Sequence, residues 1–234
     1  NDTLGEDGPY YIHNFPVSSA RADRIGELLA EKEQFSVADF TAMQLDLKDL
    51  RALEVLPQLL EQIADATSPE LVTARDLLAA WDGFATTDSA AACVYYRFID
   101  EFWPRDFLFK AIKDPLVNVL PLGAPGLNRF DISLFLTPDS PWQEHKSLLK
   151  DCVQAALTKA VQSLIGVLGP DYPQWRLGDM QKVGFQHSLA KYEHWRNMRV
   201  GTDSLGGSGT TLAMAMHIVD PELDADKPSG SLST

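Results

Sequence analysis

Arg24 stands in "SSARADRI" (residues 18–25), close to the start of a helix-like pattern. A cation so placed is mildly disfavoured by the helix macrodipole. Taken alone, it reads as an ordinary surface charge. The alternative is a guanidinium that belongs to a site whose other parts lie elsewhere. The remaining chemistry-bearing residues are scattered. Histidines occur at His13, His145, His187, His194 and His217, with no HExxH motif and no i, i+4 pairing with a second ligand. His187 and His194 flank a short segment and could meet across a hairpin, but satisfied structural histidines are expected. Cys93 and Cys152 form no CxxC pair and sit in helix-like surroundings among small or apolar residues, so two buried free thiols are expected, with one long-range disulfide as the alternative. The acid pairs Asp46/Asp49 and Asp224/Asp226 could attract calcium, yet no EF-hand spacing surrounds them, and solvated carboxylates are expected. "GGSGTT" (residues 206–211) lacks the GK[ST] ending of a phosphate-binding loop and is expected to form a flexible or close-packed glycine turn. No serine stands in a GxSxG elbow. The residues by themselves show no self-contained catalytic machinery.

The elements that must position these groups are mostly helical. With 234 residues, 45% of them apolar, the chain can bury a sizeable core. Its formal charge of -13 argues against a nucleic-acid partner, whose phosphates attract clustered Lys and Arg. No apolar run approaches the roughly 18 residues needed to span a bilayer, so no membrane partner is expected.

Ile25, Leu28 and Leu29 recur at helical spacing. "SVAD" (residues 36–39) offers a serine cap with an acid three residues on, predicting a second helix from about Val37 to Lys48. Leu50, Leu53, Leu56, Leu59, Leu60 and Ile63 continue the period across Pro57, where one helix is expected to end or kink and another to start. "SPELVTARDLLAAW" places Ser68 as cap and Pro69 at the first helical position, and "WDG" (residues 81–83) stops it. Ala92, Tyr95, Tyr96, Ile99, Phe102, Trp103 and Phe107 make an apolar stripe best read as core. Prolines and glycines over residues 114–128 predict an irregular loop. Ser140 with Gln143 opens a long helix that ends at Gly169 and Pro170. Beyond Pro173, glycines and β-branched residues predict loops and a few strands. The organisation expected is a helical body over residues 1–172 and a mixed loop and strand segment with a flexible tail over 173–234.

The order of motifs says more than any one of them. "NDTLG", "PYYIHNFPVSSARADRI", "FSVADFTAMQLDLKDLRALEVLPQLL", "LLAAWDG" with "DSAAACVYYRF", "WRLGDMQKVGFQHSL" and "GTDSLGGSGTTLAMA" succeed one another along nearly the whole chain. This succession resembles the central part of the large subunit in the penicillin acylase (penicillin amidase) family of N-terminal-nucleophile hydrolases. The resemblance implies a mainly α chain, the helical segment of the large subunit of an αββα hydrolase, with a few short strands toward its C-terminus. It also implies an amide-hydrolysing acylase whose base is the α-amino group of an N-terminal serine, a group with an unperturbed pKa near 8. That serine and the closing core strands are expected outside this chain, an internal fragment opening on "NDTLGEDGPYY" without methionine and inactive alone. By the same resemblance Asn1 falls where the family supplies an oxyanion-stabilising asparagine, and Arg24 matches an arginine that orders this asparagine and the nucleophile's amine. Asn1 and Arg24 are thus the implied catalytic residues. His13 stands where some members give calcium an aspartate, so no cofactor or metal is expected. The implied partners are the remainder of the large subunit, the small subunit and a small-molecule amide, in a periplasmic or secreted setting. A stand-alone helical interaction module without catalysis is the alternative.

Overall fold

The computed structural model describes residues 19–103, 106–107, 110, 141–186, 189, 194 and 199–215. Within them the chain is mainly helical. Helices α1 (Ala20–Ala30), α2 (Val37–Gln44), α3 (Leu50–Glu61), α4 (Pro69–Ala79) and α5 (Ala90–Tyr96) are followed by a π-helical turn over Arg97–Phe102. A 3-10 segment (Pro141–Leu148) then leads into α6 (Leu149–Leu168), and a short α7 (Leu177–Met180) precedes strands β1 (Lys182–Gln186) and β2 (Arg199–Ser204). The strands pair antiparallel, with Lys182 opposite Ser204 and an irregularity between Val183 and Phe185.

Local chemistry explains most helix starts. At α2 the Ser36 hydroxyl accepts from Asp39 N (3.3 Å) while the Asp39 carboxylate accepts from Ser36 N (2.6 Å), a reciprocal capping box. Ser68 caps α4 through Leu71 N (3.4 Å) with Pro69 at the first position, and Ser89 caps α5 through Ala92 N (3.2 Å).

Three expectations are corrected. α2 ends at Gln44 rather than near Lys48, because residues 47–49 are drawn into antiparallel pairing with residues 83–85: Ala85 N donates to Leu47 O (2.9 Å) and Asp49 N to Gly83 O (2.8 Å). Pro57 lies inside an unbroken α3. Without an N–H it cannot bond the Leu53 carbonyl, yet Val55, Leu56, Leu59 and Ile63 on both sides of it are buried, and that burial outweighs one lost hydrogen bond. The long helix before Gly169 is α-helical only from Leu149, its first eight residues being wound more tightly. Its predicted cap, Ser140, lies outside the described residues, as do the loop predicted over 114–128 and the tail.

The core is built around α6. Leu149, Cys152, Val153, Ala156, Leu157, Ala160, Val161 and Leu164 repeat every three or four residues and fill one face, packed against α4, α5 and the π turn. The aromatic stripe is core as expected: Ala92, Tyr95, Tyr96, Ile99, Trp103 and Phe107 are buried, Phe102 is partly buried against them, and Trp103 stacks on Phe107 at 5.1 Å between ring centres. The π turn also brings Arg97 onto Ser163 of α6, with Nε and Nη2 at 3.1 and 2.8 Å from its hydroxyl. α1 packs on α3, and its buried residues Ala20, Arg24 and Leu28 are spaced four residues apart on one face. Ile25 and Leu29 stay half exposed.

Candidate functional site

Arg24 is buried because it shares the inward stripe of α1 with Ala20 and Leu28, and its side chain is met there by carboxylates. Nε donates to Asp46 Oδ1 at 3.0 Å and Nη2 to Asp46 Oδ2 at 2.8 Å, a two-pronged pair. Nη1 donates to Glu27 Oε2, one turn along the same helix, at 2.8 Å. The described residues therefore engage three of its five N–H donors. The hydrogen bond to Asp46 is the largest influence raising the Arg24 pKa above its ordinary value, so the guanidinium is a permanent cation.

Asp46 is itself fixed. It follows α2 directly, and its Oδ1 also accepts from Lys48 N at 3.2 Å. Its backbone carbonyl accepts from Ala213 N at 3.0 Å, which ties it to the end of the glycine-rich stretch. Beside this contact Arg21 reaches Met214, with Nη1 at 3.7 Å from the sulfur.

Three residues on, Asp49 is fully buried. The expectation of solvated carboxylates at Asp46 and Asp49 is therefore wrong. Asp49 Oδ1 caps α3 by accepting from Ala52 N at 2.9 Å. Three hydroxyls converge on Oδ2: Tyr96 at 2.8 Å, Ser208 at 2.9 Å and Thr210 at 2.7 Å. Four donors thus compensate a carboxylate that burial alone would strongly disfavour. Burial, and then the Asp49 charge, push the Tyr96 hydroxyl well above its ordinary value, keeping it a donor.

The glycine-rich stretch is a close-packed turn, one of the two forms expected of it. Gly207 N donates to Ala85 O at 2.8 Å, and Ser208 N to Thr211 Oγ1 at 2.8 Å. Glycine is required at Gly207, where φ is 96° and a β-carbon would lie 2.2 Å from Ala213 O. At Gly206 a β-carbon would lie 2.6 Å from Ala85 O. Gln181 packs beneath, donating to Gly207 O at 3.2 Å, and its own side-chain oxygen is buried without a partner among the described residues.

None of these hydroxyls is set up as a nucleophile. Ser208 is buried and faces a carboxylate rather than an imidazole or amine. The thiols are likewise inert: both are buried and free, as expected. Burial pushes Cys93 up to about 12 and also raises Cys152. His145 lies 3.3 Å from Glu144 and edge-on to Phe107, and His194 is exposed. Asn1, His13, His187, His217 and the pair Asp224/Asp226 lie outside the described residues. Among the described residues no three metal-ligating side chains converge.

Of the two implied site residues, then, Arg24 has a defined place. Sequence reasoning missed its counter-ion and the cluster around Asp49. One signal was available: Asp49 directly precedes the apolar period of α3, the position of a helix cap. The three hydroxyl partners carried no such signal.

Set against known protein families, residues 1–230 match the family model described as penicillin amidase. That match covers every motif on which the resemblance rests.

Proposed function

Because the chain belongs to the penicillin amidase family, we propose that it forms part of the catalytic large subunit of an acylase whose nucleophile is an N-terminal serine outside these 234 residues. The family is one of acylase-type hydrolases acting on amides, multi-chain and matured by processing. In this reading Arg24 orders the oxyanion-stabilising amide, assigned to Asn1, and the nucleophile's amine. The observation that carries it is the state of Arg24: a buried cation held in one orientation by Asp46, with N–H donors to spare among the described residues. A fixed dipole or charge of this kind accelerates acyl transfer because it needs no reorganisation when charge develops.

The acyl groups proposed are those of β-lactam side chains, lipopeptides or acyl-homoserine lactones, and the partners are the rest of the large subunit and the small subunit. A periplasmic or secreted setting is proposed from the family alone. No helix among the described residues is long and apolar enough to cross a membrane.

The test compares the complete protein with this chain by itself on a chromogenic amide. Hydrolysis is expected from the complete protein and none from the chain. Arg24→Lys, which keeps the charge but loses the two-pronged geometry, should lower kcat about 100-fold, the scale of a small misplacement of catalytic groups. Turnover by the chain alone, abolished by Asn1→Ala, would overturn the proposal.

A further inference from the structure

We infer that Asp49 is a positioning residue for Arg24, acting through a closed circuit of hydrogen bonds with Tyr96, Ser208 and Thr210. The inference rests on the acylase reading for its catalytic consequence but on geometry for its substance. A helix cap needs only Asp49 Oδ1, which holds Ala52 N at 2.9 Å. The second oxygen is occupied by hydroxyls that come from 47, 159 and 161 residues away. An ordinary cap at a solvated helix end would avoid burying a charge at all.

What the buried carboxylate gains is a fixed path to Asp46. The short span from Asp46 to Asp49 is pinned along its length, by Lys48 N donating to Asp46 Oδ1 at 3.2 Å, Ala85 N to Leu47 O at 2.9 Å and Asp49 N to Gly83 O at 2.8 Å. At its far end Asp49 grips Ser208 and Thr210, and at its near end the Asp46 carbonyl grips Ala213 N at 3.0 Å. The turn from Ser208 to Ala213 closes the circuit. Its geometry is set internally, with Thr211 Oγ1 donating to Ala213 O at 2.7 Å and Ala215 N to Ser208 O at 3.0 Å. The Asp46 backbone, from which the carboxylate reaches Arg24, therefore shifts only if this circuit opens. Tyr96 ties it to the core, since its ring packs edge-on against Trp81 and Tyr95.

Thr210→Val, Ser208→Ala and Tyr96→Phe each remove one donor with little change in shape, and are tested in the complete protein. The first readout is modification of Arg24 by phenylglyoxal, followed by peptide mass spectrometry. Loss of a donor should speed Arg24 labelling about 10-fold by favouring local opening, while Arg75, partly exposed and remote from the circuit in sequence, labels at its usual rate. The second is a cycle with Arg24→Lys on kcat. Thr210→Val should lower kcat about 10-fold beside Arg24 and less than about 2-fold beside Lys, because coupled residues are not additive. Thr210→Ser, which restores the hydroxyl, should rescue both. Unchanged Arg24 labelling in all three donor variants, with only a lowered Tm, would show a purely structural role and overturn the inference. A complete protein that hydrolyses no amide would sink the acylase reading, and the labelling rates would still decide whether Asp49 positions Arg24. Should one variant fail to fold, the other two carry the same comparison.

Discussion

Asp46→Ala should strand the Arg24 cation, and the size of the effect follows from the geometry. The substitution removes two charge-assisted hydrogen bonds, at 3.0 and 2.8 Å, from a pair whose side chains are each only 11% exposed. Removing one partner of a buried pair costs about 3–5 kcal/mol, because an uncompensated charge is left behind. Glu27 remains 2.8 Å from Nη1, but its side chain is 48% exposed, so it recovers about 0.5 kcal/mol. Lys48 N also loses its acceptor. The net expectation is a loss of about 3 kcal/mol. In urea this moves the unfolding midpoint down by about 1 M, taking a slope of about 3 kcal/mol/M for a chain of this size. Arg24→Met should cost a similar amount, while the double variant should fall short of the sum by about 2 kcal/mol or more. Additivity within about 0.5 kcal/mol would refute the claim that these two side chains form one interacting unit.

The glycine turn and α1 give opposite responses to the same change. Gly207→Ala should cost about 3 kcal/mol or prevent folding, since φ is 96° and the new carbon meets Ala213 O, whereas Gly26→Ala, exposed in mid-helix with open space around it, should raise stability by about 0.5–1 kcal/mol in the same denaturation assay. The Asp39 carboxyl is held down to about 2 by the Lys32 ammonium first and then by Ser36. A folded value below the unfolded one means that its contribution is present above pH about 4 and lost as pH falls toward about 2. The Tm difference between the protein and its Asp39→Asn variant should therefore be constant above pH about 5 and close below it, and a difference that persists to pH about 2 would contradict this. Cys93, pushed up to about 12 by burial, should resist an aromatic disulfide reagent at pH about 8 and react only at the rate of unfolding. Rapid labelling of the native protein at Cys93 would show the thiol to be accessible.

Several contacts within four residues were legible in the sequence, although the Asp49 cap on Ala52 N was missed. Ser36 with Asp39, Ser68 with Pro69 and the stop at residues 81–83 were all legible, because a cap is a contact between near neighbours and depends on little else. The apolar stripes of α3, α5 and α6 were legible for a similar reason, since a 3.6-residue period states which face is inward. The motif order pointed to the family, and residues 1–230 match it. The departures came from long-range competition. Extended pairing with residues 83–85 took the end of α2, and buried neighbours held α3 intact across Pro57.

At the site the division is sharper. The sequence by itself determined that a cation stands on α1, that acids follow α2, and that a run of glycine, serine and threonine lies near the chain's end. Only the tertiary structure decided that Arg24 and Asp46 form a buried pair, and that Asp49 is sealed from water by Tyr96, Ser208 and Thr210. The physical reason is that a charged residue carries no mark of its own burial. Whether a carboxylate is solvated or enclosed depends on donors, and here three of those donors come from 47 to 161 residues away.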